Sequence, residues 1–120
     1  MRKNRVYHQR FAVVDQQMLR DVFAKNKEDF KESGRVLFFL AGTMDIHTNT
    51  VIVDQRTVAQ EVGMYQPNVS DALQKLCRSN KIKKRERKRD GYYVNPTWFF
   101  MGKLYGAHYY ELMYLFGYIT

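Results

Sequence analysis

Nine of the chain's twenty lysine and arginine residues fall between Lys75 and Arg89, and Glu86 is the only acid among them. Ammonium and guanidinium groups at this density are suited to one task above others, which is pairing with the phosphate oxygens of a polyanion. Just before this run lies a second chemical surface. When the apolar stripe Val69, Leu73 and Leu76 is removed from the stretch 66–78, what remains is Gln66, Asn68, Ser70, Asp71, Gln74, Lys75 and Arg78. Gln and Asn amides can pair bidentately with the edge of adenine, Ser can donate or accept, and Lys can reach guanine or phosphate. A merely solvated helix face, the plain alternative, would more typically carry Glu/Lys pairs.

Other reactive groups are sparse. His8, His47 and His108 are scattered, without Cys or carboxylate at metal-ligand spacing. Asp45 and His47 sit together in a loop without a nucleophile, and no glycine-rich phosphate loop occurs. Cys77, beside Leu76, reads as a packed thiol. The expectation is a binding protein with no catalytic residues, metal or cofactor, and not an enzyme.

The elements that must hold these groups follow from local signals. Asp54 is an N-cap for a short helix through Val62, in which Gln55, Arg56 and Thr57 form the first turn and Gly63 is the stop. A second helix starts near Gln66-Pro67, proline being favoured in a first turn. Ala59 allows the two to cross closely. The pair reads as a helix-turn-helix. Val51-Ile52-Val53 precedes it as a β-branched strand. After it, Asp90-Gly91 between the basic run and Tyr92-Tyr93-Val94 signals a hairpin. With strand alternation, Lys83, Arg85, Arg87 and Arg89 face one way and Ile82, Lys84, Glu86 and Lys88 the other. Lys83, Lys84, Arg85, Arg87, Lys88 and Arg89 are therefore the expected contacts of a projecting wing.

Upstream, Phe11 to Val14 reads as a strand, and Met18, Leu19, Val22 and Phe23 have helical spacing after Asp15. Residues 25–33 are highly charged and end at Gly34, which reads as a loop or a fraying helix end. Arg35 to Met44 is a strongly apolar core helix. The expected fold is α+β and mostly helical: a winged helix-turn-helix with a two- or three-stranded wing sheet and an aromatic C-terminal helix. Its parts are an N-terminal arm and helix (1–34), the winged domain (35–96) and the C-terminal element (97–120).

Composition sets bounds on the partner. The 120 residues carry a net charge of +8 and 45% hydrophobic residues, which points to an anionic partner. No run of apolar residues is long enough to span a bilayer, and no apolar run follows the charged N-terminus as in a secretory signal. A single cysteine excludes an internal disulfide, and a reducing cytoplasm is the expected location. Eleven of the eighteen aromatic residues lie from Tyr92 onward. There Leu104, His108, Leu112, Leu115 and Ile119 make a helical stripe, with tyrosines around the rest of the circumference. A helix this apolar has to be covered. It builds a homodimer interface, covers the chain's own core, or belongs to a longer protein.

The stretch Val36 to Lys103 resembles the RepL-type plasmid replication initiators. The likeness rests on Val36-Leu37-Phe38-Phe39-Leu40, Asn49, Val51-Ile52-Val53, Val58-Ala59-Gln60-Glu61-Val62-Gly63, and Val69-Ser70-Asp71-Ala72-Leu73-Gln74-Lys75-Leu76. It continues through Ile82-Lys83-Lys84, Tyr93-Val94-Asn95-Pro96 and Gly102-Lys103. The chain departs from the pattern in opening its second helix with Tyr65-Gln66-Pro67 rather than a Ser/Thr cap, and in its longer, more basic wing. The resemblance implies a winged helix that recognises double-stranded DNA at a plasmid origin and then recruits host replication proteins. The residues themselves leave open a transcription regulator on an operator, a nonspecific nucleic-acid-binding module, and a protein-interaction module built on the aromatic helix.

Overall fold

The computed structural model describes residues 13, 14, 16, 31–45, 47–100 and 106–120. The expected N-terminal arm, the helix after Asp15 apart from the helical Gln16, and Leu104 lie outside the described residues. Among those described there are four helices: α1 (Lys31–Thr43), α2 (Gln55–Val62), α3 (Gln66–Arg78) and α4 (Ala107–Leu115). The strands are β1 (Val13–Val14), β2 (Thr50–Ile52), β3 (Ile82–Lys84), β4 (Gly91–Val94) and β5 (Phe99–Phe100).

Lys31 to Gly34 belong to α1, so Gly34 is a buried residue inside a helix rather than a stop. Glu32 stands in the first turn, where a negative charge suits the helix dipole. Val36, Leu37, Leu40, Ala41 and Met44 form its buried face. Arg35, Phe38, Gly42 and Thr43 make a narrow exposed stripe. Phe38, although 44% exposed, meets Phe99 edge-on with ring centres 5.5 Å apart. α1 packs on α2 and α3. The guanidinium of Arg35 also donates to the carbonyl of Val62, closing the end of α2.

The turn after α1 is organised by Asp45, whose Oδ1 accepts from the backbone N–H of His47 (2.7 Å) and Thr48 (3.2 Å). The His47 N–H is the main reason that its carboxyl pKa falls below the usual value. Asn49 takes a positive φ of 57° and feeds the chain into β2.

The sheet is antiparallel in the order β2-β4-β3, with Val51 opposite Tyr92 and Lys83 opposite Tyr93. Helix, strand, two crossing helices and a two-stranded wing with its last strand in the middle of the sheet is the arrangement of a winged helix-turn-helix. The core runs between α1, α3 and the sheet, with Val58, Val69, Leu76, Ile82 and Val94 sealed from solvent. Burying side chains of this size stabilises by roughly 1.5–3 kcal/mol each.

A second small sheet pairs β1 with β5, Val13 opposite Phe100 and Val14 opposite Phe99. The strand expected near Val14 is thus present at 13–14, and its partner is the Phe99-Phe100 cluster. Phe99 lies within the main core, and Trp98 packs against it.

α4 is shorter than the stripe from Leu104 to Ile119 suggested. It ends at Leu115, where Gly117 (φ 85°) reverses the chain and Tyr118 N–H reaches the Met113 carbonyl at 2.9 Å. Leu112 and Phe116 are buried against the chain itself, and Tyr109 meets Phe100 edge-on at 5.1 Å. One side of α4 therefore covers the chain's own core. Tyr114, Tyr118 and Ile119 stay exposed. No helix among the described residues is long and apolar enough to cross a membrane.

Candidate nucleic-acid interface

Local geometry fixes the helix-turn-helix tightly. The Asp54 carboxylate accepts from Thr57 N–H at 2.7 Å, which holds its pKa below the usual value. α2 ends at Gly63 in the left-handed region (φ 67°), where Met64 N–H bonds the Ala59 carbonyl at 3.0 Å. α3 follows at once, entered through Tyr65 and Pro67 without any side-chain cap. Its far end is closed by Ser79 Oγ on the Lys75 carbonyl (2.8 Å) and by Asn80 at φ 61°.

On α3, Gln66, Asn68, Asp71, Gln74, Lys75 and Arg78 are exposed and Ser70 is half-buried. At roughly 100° per residue they do not share one line. Ser70, Gln74 and Arg78 stack at i, i+4, i+8, whereas Asn68 and Lys75 fall on the opposite flank. The first group enters a groove of about 360 Å³ shared with Gln55 from the start of α2 and Lys84 from β3, floored by Leu73, Cys77 and Tyr92. Three groups of residues singled out separately in the sequence thus meet in one place. Arg56 and Thr57 are exposed beside it. Burial pushes the Cys77 thiol pKa up, in keeping with a packed thiol.

The wing differs from the expected ribbon. Its strands are only 82–84 and 91–94, and residues 85–90 form the connecting loop. Asp90 supplies the positive φ of 58°, while Gly91 already belongs to β4. Alternation therefore holds for Ile82, Lys83 and Lys84 and lapses beyond them. Ile82 turns into the core, so the hairpin is not charged on both sides at its base. Lys83, Lys84, Arg87, Lys88 and Arg89 are exposed, and Arg85 is half-buried with its guanidinium 5.6 Å from the centre of the Tyr93 ring.

The base of the wing is held by two buried amides. Asn49 donates to the carbonyls of Val94 (2.7 Å) and Phe99 (3.1 Å). Asn95 donates to the Asn80 carbonyl (2.5 Å) and Tyr118 Oη (2.9 Å), and accepts from Thr97 N–H and Oγ1. Lys81, also buried, lies 4.6 Å from the Trp98 ring centre, and desolvation lowers its pKa.

Of the expected dimer residues, Leu112 is buried within the chain, His108 is half-buried 3.8 Å from Glu111, and Ile119 is exposed beyond the helix end. Leu115 instead lines a second cleft beside the wing loop. Tyr65 was missed by sequence reasoning. It is 72% exposed at the entrance of α3, next to Gln66 and Asn68. Its place in the turn is legible in the sequence, but the exposure of its ring is not.

Neither curated proteins nor solved structures give a match to this chain. The family of Firmicute plasmid replication proteins (RepL) matches residues 30–115, from the start of α1 to the end of α4. The match takes in more than two thirds of the sequence and the whole winged unit, and the chain belongs to the RepL family of Firmicute plasmid replication proteins.

Proposed function

We propose that this replication protein binds double-stranded DNA at its plasmid's origin, with α3 in the major groove and the wing along the phosphate backbone, and that it is a binding protein rather than an enzyme. The observation that carries the reading is the single groove joining Gln55, Ser70, Gln74, Arg78 and Lys84. It puts base-reading amides and phosphate-pairing cations within reach of one stretch of duplex. A wing touching roughly six phosphates gives a salt slope near −5, and affinity falls about a thousandfold between 50 and 200 mM salt. Two copies joined through the exposed side of α4 would address inverted half-sites. Recruitment of host replication proteins would follow, in a cytoplasmic setting.

Selection of bound duplexes from a random pool at two salt concentrations tests this. One recovered motif that also occurs in the parent plasmid's origin supports it, and a motif confined to promoters favours a transcription regulator. Binding without any motif, lost steeply as salt rises, would replace it with nonspecific backbone binding, a reading that the five exposed wing cations favour.

A further inference from the structure

The wing sheet has two faces, and the register assigns different partners to each. Lys84 and Tyr92 stand opposite one another on the face toward α3, and both line the groove described above. Lys83 and Tyr93 stand opposite one another on the other face. There the wing loop and α4 enclose a cleft of about 410 Å³, within the roughly 300–1,000 Å³ range of small-ligand sites. Its wall is basic, with Lys83, Arg87 and Lys88, and Glu86 is its one acid. Beside these lie Tyr93, with the Arg85 guanidinium over its ring, and Leu115 from α4.

We propose that this cleft holds an unpaired nucleotide of single-stranded DNA. The base stacks on the Arg85–Tyr93 layer against Leu115, and the flanking phosphates pair with Lys83, Arg87 and Lys88. Guanidinium planes and aromatic rings are the platforms on which unpaired bases stack, and a cationic wall tracks the strand. A base inside a duplex cannot enter, because it would first have to leave its stack. Lys84 lines both the α3 groove and this cleft, so the two sites adjoin across one strand of the sheet. The proposal rests on the nucleic-acid reading above and adds to it: a protein holding duplex on one face of its wing and an unpaired strand on the other would favour opened DNA at the edge of its site.

The test measures binding of a labelled oligothymidylate strand and of a duplex to the full chain by fluorescence anisotropy at low salt. Leu115→Glu puts a carboxylate in the cleft away from the α3 groove. It is expected to weaken the single strand about tenfold and to leave the duplex within about twofold. An oligothymidylate carrying photoreactive 4-thiothymine, used on the unaltered chain, is expected to crosslink to the peptide holding Tyr93, so the outcome does not depend on how well the variant folds. Crosslinking confined to α3, an unchanged single-strand affinity in a folded Leu115→Glu protein, or duplex binding with no single-strand binding would each overturn the inference while leaving the duplex reading standing. Binding of neither DNA would remove both. Competition by free thymidine monophosphate, or by an acidic peptide, as effective as that of the strand would also overturn the assignment to single-stranded DNA.

Discussion

Replacing Asn95 by alanine should uncouple the wing from the rest of the fold. The side chain is fully buried and makes four hydrogen bonds, to the Asn80 carbonyl, Tyr118 Oη, Thr97 N–H and Thr97 Oγ1. The hydroxyls of Tyr118 and Thr97 can turn to water, so the lasting loss falls on the two backbone groups. A lost hydrogen bond costs about 1 kcal/mol net, and a backbone group left poorly satisfied costs about 1–3 kcal/mol, so Asn95→Ala should destabilise by about 2–4 kcal/mol. For a domain of this size that lowers Tm by roughly 10 °C. Thermal and urea unfolding followed by circular dichroism read the change, with an unaltered urea slope showing that the unfolded state is the same. Asn95→Asp separates hydrogen bonding from shape. Its carboxylate would face the Asn80 carbonyl in a buried site, which raises its folded pKa, so the native state holds a proton that the unfolded state has released. Stability of that variant should fall as pH rises through the carboxylate range, a trend absent in Asn95→Ala. A loss under about 1 kcal/mol for Asn95→Ala, or a pH-independent Asn95→Asp, would refute the hub.

Gly63→Ala should cost about 1 kcal/mol and Gly63→Asn less, because φ is 67° and a Cβ there meets nothing within 4 Å, leaving a purely conformational penalty measurable by urea unfolding. Asp54 has a folded pKa lowered chiefly by the Thr57 N–H, so its contribution is present above the unfolded carboxylate pKa and lost as pH falls through the folded one. Asp54→Asn, which keeps the cap, should flatten that part of the acid unfolding curve. On DNA, Gln74→Ala should cost about 1–3 kcal/mol on the selected motif alone. Lys84→Ala should instead weaken all duplexes and reduce the salt slope by about one unit, both read by anisotropy titration. If the wing change altered sequence preference and the helix change did nothing, the two roles would be misassigned.

The helix-turn-helix was legible because each of its signals is local. An Asp cap, a left-handed Gly, a proline in the first turn and a single apolar stripe lie within a few residues of the groups that they control. Local signals also placed β4, but they overextended the wing strands, since a row of lysines and arginines carries the same charge whether paired or looped. α4 was drawn too long because a helix apolar on most sides gives no direction, and only Gly117 marks its end. The pairing of Val13–Val14 with Phe99–Phe100, and the meeting of Asn95 with Tyr118, depend on partners far apart in the chain. In the sequence, Asn49 and Asn95 stand out only as part of a family pattern. Their physical reason, two amides fastening the loops beneath the wing, needed the fold.

The wing loop has a bearing on how such a protein can change over generations. Residues 85–90 are tied to the sheet by Arg85 N–H on the Gly91 carbonyl and Gly91 N–H on the Lys88 carbonyl, while Asn49 and Asn95 set the register of the strands below. Charges can be inserted, deleted or exchanged at the tip without disturbing the core. Under the duplex reading proposed above, grip on DNA would rest on this loop and choice of site on α3, so the two could change separately.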